Sequence, residues 1–103
     1  MTVYALALLT IEDRARYERY AAGFARSLEG FDGRLLAADE SPAVLEGSWQ
    51  PDKVVLIEFS DRHEFDRWAT SELYRSIAED RIAATRSTVL MLGAISSAAT
   101  PVV

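Results

Sequence analysis

The 103-residue sequence predicts a single α+β domain of the ferredoxin-like βαββαβ type, and three observations support this class. The length suits one domain with one hydrophobic core. Apolar runs of strand length alternate with helix-length stretches in the split order of ferredoxin-like folds. The strands are apolar on both faces, although helices on one side of a sheet cover only one of them.

The composition excludes several function classes. Half of the residues are apolar and the formal net charge is −5, which argues against binding to nucleic acid. The absence of cysteine rules out disulfides and thiolate metal sites, and His63 is the single histidine, so we expect neither a metal nor a cofactor. No stretch reaches the roughly 20 apolar residues that span a bilayer, and Met1 precedes no basic leader. We therefore expect a cytoplasmic protein without membrane contact.

The first two elements are a strand and an amphipathic helix. Residues Val3–Leu9 form a nearly continuous apolar run of strand length. Asp13 is a residue type that caps helix N-termini, and Gly30 and Gly33 mark the end of the helix. Apolar residues at three- and four-residue steps predict its buried side: Tyr17, Tyr20, Ala21, Phe24, Leu28 and Phe31.

The middle of the chain predicts two strands separated by a turn and a loop. Residues 34–38 read as a strand, residues 39–42 as a turn and residues 43–46 as a short extended piece. Gly47 and Pro51 bracket a loop that carries Trp49. Lys53–Phe59 is the strongest strand of the sequence, with β-branched and aromatic residues on both faces.

The last part predicts two helical segments and a final strand. Asp61 can cap a helix whose buried side carries Phe65, Trp68 and Ala69. After a break at residues 70–71, a third helical segment extends to about residue 86, and residues 87–92 form the last strand. The domain is predicted to span residues 1–94, and residues 95–103 to be a C-terminal tail or an exchanged arm.

The two-sided apolar strands predict an assembly. Helices on one side of the sheet leave the other side apolar, and such a surface exceeds the apolar patches typical of monomers. Packing this face against a second copy buries it without any new sequence. We therefore expect a homodimer closed sheet to sheet.

The sequence also resembles a known family, domain of unknown function 1330, over nearly the whole chain. The resemblance rests on an ordered set of motifs: Tyr17-x-x-Tyr20, Asp32-Gly33-Arg34-x-Leu36-Ala37, Leu45-Glu46-Gly47-x-Trp49-x-Pro51, Glu58-Phe59, Trp68-x-x-Ser71-x-x-Tyr74 and Arg81. It implies a dimeric α/β barrel, in a superfamily that includes cofactor-independent monooxygenases, haem-degrading enzymes, muconolactone isomerases and chlorite dismutases. The family itself has no established activity. A monooxygenase site of the Asn/Trp/His kind needs an asparagine, which this chain lacks.

Arg81 is the first candidate for chemistry. It shares a predicted helix face with Tyr74, Ile77 and Ala78, and a guanidinium on an apolar face must be paired or must hold an anion. It can clamp a carboxylate or enolate oxygen of a small substrate. Alternatively, it forms a structural ion pair with a carboxylate, Glu46 or Glu58, and a ligand can compete for the same arginine.

A carboxylate, a tyrosine and several aromatic residues complete the candidate site. Glu58 can act as an acid or a base if it is half-buried, or it can simply form an ion pair with an arginine. Tyr17 is the third catalytic candidate beside Arg81 and Glu58. The predicted ligand-binding residues are Tyr17, Tyr20, Trp49, Trp68, Tyr74 and Arg81, although aromatic residues at helical spacing also serve as plain core. His63 lies in the first turn of a predicted helix. It can act as a general base or ligand, or it can simply be an exposed side chain.

Three functions fit these residues. The first is a cofactor-independent enzyme, oxygenase- or isomerase-like, that acts on a small carboxylate or aromatic metabolite. The second is a binding module that sequesters such a metabolite. The third is a structural dimer with a filled cleft.

Overall fold

The computed structural model describes residues 1–95, which form four antiparallel strands and three helices. The predicted tail of residues 95–103 lies outside the described residues, apart from Ile95. The sheet has the order β2-β3-β1-β4. The elements in chain order are β1 (Val3–Ile11), α1 (Arg14–Leu28), β2 (Gly33–Asp39), β3 (Lys53–Phe59), α2 (Arg62–Ala69), α3 (Glu72–Ala84) and β4 (Thr85–Gly93).

Side chains of the predicted kinds start the helices. Asp13 accepts a hydrogen bond from the backbone N–H of Arg16 (3.1 Å), and Asp61 accepts one from that of Glu64 (2.8 Å). Both predicted caps are confirmed, and each satisfies a backbone donor that has no partner within its helix. None of the helices within residues 1–95 has the length and apolar character needed to cross a membrane.

Several predicted boundaries differ in the structure. The first strand extends to Ile11 instead of Leu9, the second covers Gly33–Asp39, and the last covers Thr85–Gly93. Residues 43–46 form no strand, because they belong to an irregular connection in which Gly47 has a φ of +84° and Leu45 is 92% exposed. The third helix ends at Ala84 instead of near residue 86. Thr85 already has extended backbone angles, and its β-branched side chain suits the strand that starts there.

The core lies between the helices and one face of the sheet. It contains a continuous aromatic cluster: Tyr17, Tyr20, Phe24, Phe59, Trp68 and Tyr74. Gly33 lets β2 pass over the ring of Phe59, since a Cβ on Gly33 would lie 2.6 Å from that ring. Gly23 brings α1 close to α3 in the same way, because a Cβ there would lie 2.9 Å from a methyl carbon of Ile77.

The opposite face of the sheet is apolar as well. Leu6 of β1 lies between Leu56 of β3 and Leu90 of β4, and the rows beside it add further apolar residues. Leu90 and Leu92 are 44% and 42% exposed. We call this surface the open face and define it by Tyr4, Leu6, Leu8, Val54, Leu56, Leu90 and Leu92; the three helices lie on the other side of the sheet.

Glu64 ties the start of α2 to the turn before β2, and this contact predicts a pH dependence of stability. Its carboxylate accepts the backbone N–H of Asp32 (2.8 Å) and pairs with Arg67, so its pKa is lowered from 4.5. A lowered folded-state pKa stabilises the fold above the unfolded value, and this contribution is lost as the pH falls through the folded value. Glu64→Gln should therefore flatten the decline in urea midpoint below about pH 4.5, whereas Glu29→Gln should leave the decline unchanged.

Candidate functional site

A pocket of about 870 Å³ lies between the helices and the inner face of the sheet. Small residues on facing elements create it, because an alanine under a helix leaves space that a larger side chain would fill. The alanines of its wall are Ala5, Ala7, Ala21, Ala25, Ala38, Ala69 and Ala78. The remaining wall is mostly aromatic and aliphatic, so the pocket suits an apolar molecule with few polar groups.

Four predicted ligand-binding aromatic residues line this pocket: Tyr17, Tyr20, Trp68 and Tyr74. The ring centroids of Tyr17 and Tyr20 on α1 are 5.7 Å apart, and those of Trp68 and Tyr74 are 3.9 Å apart. The periodicity of α1 places both of its tyrosines on the side that faces the sheet. The Tyr17 side chain is 2% exposed, and its hydroxyl forms no hydrogen bond with other residues in the described range 1–95.

Tyr20 and Tyr74 form a buried hydroxyl pair with an O–O distance of 3.3 Å. Burial raises the pKa of Tyr20, and the nearby Tyr74 raises it further, so the Tyr20 hydroxyl stays protonated at neutral pH. One of the two hydroxyl protons forms the hydrogen bond between them. The other remains available to an acceptor, which makes the pair a hydrogen-bond donor toward a ligand.

Arg81 lines the same pocket and is half-buried. Its guanidinium carbon lies 5.9 Å from the ring centroid of Tyr20, and Nη1 donates to the Ser87 hydroxyl (3.3 Å). Within residues 1–95 it forms no ion pair. The predicted alternatives do not occur, since Glu46 is exposed in the loop and Glu58 pairs with Arg34 (3.1 Å).

Two hydroxyls that sequence reasoning missed hold Arg81 in place. Thr85 donates to the backbone carbonyl of Arg81 (2.7 Å), so its single proton is used there. Ser87 must therefore donate to Thr85 Oγ1 (2.9 Å) and accept from the Arg81 side chain. The junction of α3 and β4 brings these residues together. One guanidinium N–H therefore donates to Ser87, and the remaining N–H groups can donate to a ligand.

Three of the predicted residues lie outside the pocket. Glu58 is on the other side of the sheet, because its side chain alternates with those of Ile57 and Phe59. Trp49 is half-buried in the connection between β2 and β3, and it is not among the residues that line the pocket. His63 is exposed in the first turn of α2.

Lys53 is a pocket residue that the sequence analysis did not single out. Its ammonium nitrogen lies 5.0 Å from the ring centroid of Tyr17, within the range of a cation–π interaction. The alternation of side chains along β3 indicates this position, since Lys53 falls on the same side of the strand as Val55 and Ile57. A charged residue at the start of the inward-facing series could have been read as a pocket residue.

The fold and the pocket define a class of protein. A four-stranded antiparallel sheet with its helices on one face is the ferredoxin-like α+β fold, as the sequence predicted. The chain belongs to the family described as domain of unknown function (DUF1330), whose model matches residues 2–95. The resemblance stated above is thereby confirmed. No curated protein matches the chain.

Solved structures show the same fold. RPA0582, a protein of unknown function from Rhodopseudomonas palustris, has a TM-score of 0.78 at 18% identity, over 92% of this chain and 83% of that one. A dimeric ferredoxin-like protein of unknown function from Jannaschia sp. CCS1 has a TM-score of 0.69 at 18% identity, over 91% and 100%. SnoaB, a cofactor-independent oxygenase from Streptomyces nogalater, has a TM-score of 0.58 at 18% identity, over 94% and 96%.

Proposed function

We propose that this protein is a homodimer in which each subunit binds a small aromatic, carboxylate-bearing metabolite in the pocket between its helices and sheet. The observation that carries the proposal is that the half-buried residue Arg81 lines an apolar pocket and forms no ion pair within residues 1–95. A charge in such surroundings is stabilised by an anion that binds beside it. The aromatic wall supplies surfaces for a ring.

Arg81 and the tyrosines together define the polar part of the ligand. The guanidinium has only donors, and the Tyr20–Tyr74 pair offers one more. The complementary ligand therefore presents acceptors, such as a carboxylate or an enolate oxygen. Tyr17 has no hydrogen-bond partner within residues 1–95, and its hydroxyl can orient the same group.

Titration with naphthalene-2-carboxylate tests the binding proposal. Arg81→Met keeps an unbranched side chain but removes every donor, so the dissociation constant should rise about tenfold or more. Arg81→Lys should recover only part of the affinity, because an ammonium cannot form the two parallel hydrogen bonds of a guanidinium. Arg62→Met, an exposed arginine of α2, is the matched control and should bind like the wild type.

Two results would contradict the binding proposal. One is the absence of binding by naphthalene-2-carboxylate and by benzoate and biphenyl-4-carboxylate at millimolar concentration. The other is binding that Arg81→Met leaves unchanged. Circular dichroism of each variant confirms that it is folded before the titration is read.

Catalysis is the second candidate, and the convergence of donors on one part of the pocket favours it. An isomerase-like or cofactor-independent oxygenase-like reaction can begin when a base takes a proton from the substrate and leaves an enolate, and the carboxylates of the pocket wall that can accept this proton are Glu72 and Glu79. Donors placed at the enolate oxygen lower that barrier. Deuterium exchange at the carbon beside the carbonyl of a bound aromatic keto acid, measured by NMR in D₂O, should be faster with wild type than with Arg81→Met.

The open face and the descriptions of similar solved structures support the proposed dimer. Leu6, Leu56 and Leu90 form an apolar row across three strands, and similar chains are described as dimeric ferredoxin-like proteins. Packing two open faces together buries both rows and joins two sheets into a dimeric α/β barrel. The pocket lies on the other side of each sheet.

A further inference from the structure

Lys53 and Arg81 each contact one of two neighbouring tyrosine rings in the pocket. Lys53 lies over the Tyr17 ring at 5.0 Å, and Arg81 lies over the Tyr20 ring at 5.9 Å. The two tyrosine rings are neighbours on α1, with centroids 5.7 Å apart. Contacts therefore connect the two cations through the two rings.

Both cations line the pocket and have no carboxylate partner among residues 1–95. Lys53 is half-buried, and its ammonium forms neither a hydrogen bond nor an ion pair with another residue of that range. The hydrogen bond from Arg14 (2.7 Å) is the largest cause of the lowered pKa of Glu40, and the charge of Lys53 is the smallest of the causes that lower it. Glu40 is therefore already paired elsewhere.

Lys53 is the single lysine of the sequence, in a chain that otherwise uses arginine for its cations. An ammonium differs from a guanidinium in being a compact charge with three rotatable donors. The two cations therefore recognise an anion differently: Arg81 presents a planar guanidinium, and Lys53 presents a compact ammonium. The charged residues Glu72, Arg75 and Glu79 also line the pocket, but all three are exposed residues of α3.

We propose that Lys53 is a second anion-binding group of the pocket, and that its ligand is a flat aromatic molecule with an acidic group at each end. The inference rests on the proposed function, since one acidic group is the carboxylate assigned to Arg81. The ring system lies along Tyr17 and Tyr20, and the second acidic group reaches the ammonium of Lys53. A monoacid fills the same pocket but leaves Lys53 without an anion.

Pairs of matched acids test this inference by calorimetric titration. The diacids are terephthalate, naphthalene-2,6-dicarboxylate and biphenyl-4,4′-dicarboxylate, and the monoacids are benzoate, naphthalene-2-carboxylate and biphenyl-4-carboxylate. At least one diacid should bind wild type about tenfold more tightly than its monoacid. Lys53→Met should abolish that difference, while Lys53→Arg should preserve it.

The outcomes separate the inference from the proposed function. The role of Lys53 is wrong if monoacids bind in a manner that depends on Arg81 but no diacid gains affinity, or if the gain persists in Lys53→Met. The proposed function stands in both cases. If no monoacid binds, both fail. Methionine keeps the length of the lysine stem and its contact with the Tyr17 ring, so Lys53→Met should remain folded.

Discussion

Replacing Phe59 by alanine is expected to lower the free energy of unfolding by about 3–5 kcal/mol. The side chain is 0% exposed, and its ring centroid lies 5.3 Å from that of Phe65 and 5.2 Å from that of Trp68. Truncation leaves a cavity that the rigid β3 and α2 cannot close. Domains of this size are stable by only about 5–15 kcal/mol, so the variant should unfold at a clearly lower urea concentration.

Further variants identify the cause of that loss. Leu45→Ala also removes a large apolar side chain, but one that is 92% exposed, and it should change stability by less than about 0.5 kcal/mol. Gly33→Ala should destabilise by about 1–3 kcal/mol, because its Cβ would lie 2.6 Å from the Phe59 ring. Combining Gly33→Ala with Phe59→Leu should cost less than the sum of the two changes. Equal stability of Phe59→Ala and Leu45→Ala would contradict this account of the core.

The elements that the sequence predicted well are those with local physical causes. The strand Lys53–Phe59 has the predicted bounds, because its β-branched residues favour extended backbone wherever they lie. The caps at Asp13 and Asp61 are equally local, since the side chain and the backbone donor are three residues apart. Residues 43–46 have strand-like composition, but a strand also needs a partner, and composition does not provide one.

The site was predictable in part for the same reason. Helical periodicity places Tyr17 and Tyr20 on one side of α1, and the structure puts both in the pocket wall. The partner of Glu58 depends on the register between β2 and β3, which sets it opposite Arg34. The volume of the pocket also escaped prediction. This volume arises where alanines of separate elements face one another, and the sequence of a single segment does not indicate which alanines of other segments it will face.

Introducing a charge at the centre of the open face is expected to separate the proposed dimer. Leu6 lies between Leu56 and Leu90 in the sheet, so Leu6→Glu places a carboxylate in the middle of the surface that two sheets would share. Burying an unpaired charge costs several kcal/mol, and the dissociation constant should rise by about a thousandfold or more. Sedimentation equilibrium should show wild-type dimers and Leu6→Glu monomers at micromolar concentration.

A glutamate introduced outside the open face tests whether the position of the charge, rather than the charge itself, separates the subunits. Leu73 on α3 is 43% exposed and lies away from the open face, so Leu73→Glu should leave the dimer intact. A wild-type protein that sediments as a monomer would overturn the assembly, as would a Leu6→Glu protein that stays dimeric. Circular dichroism should show that Leu6→Glu is folded, since the helices cover the other face of its sheet.

The same variant shows whether the pocket needs the second subunit. The pocket residues Arg81 and Lys53 lie on the side of the sheet that carries the helices, away from the open face. Monomeric Leu6→Glu should therefore bind naphthalene-2-carboxylate with wild-type affinity. A dissociation constant that rises together with loss of the dimer would instead mean that sheet-to-sheet packing holds the pocket walls in place, because β1 and β3 present one face to the partner and the other to the ligand.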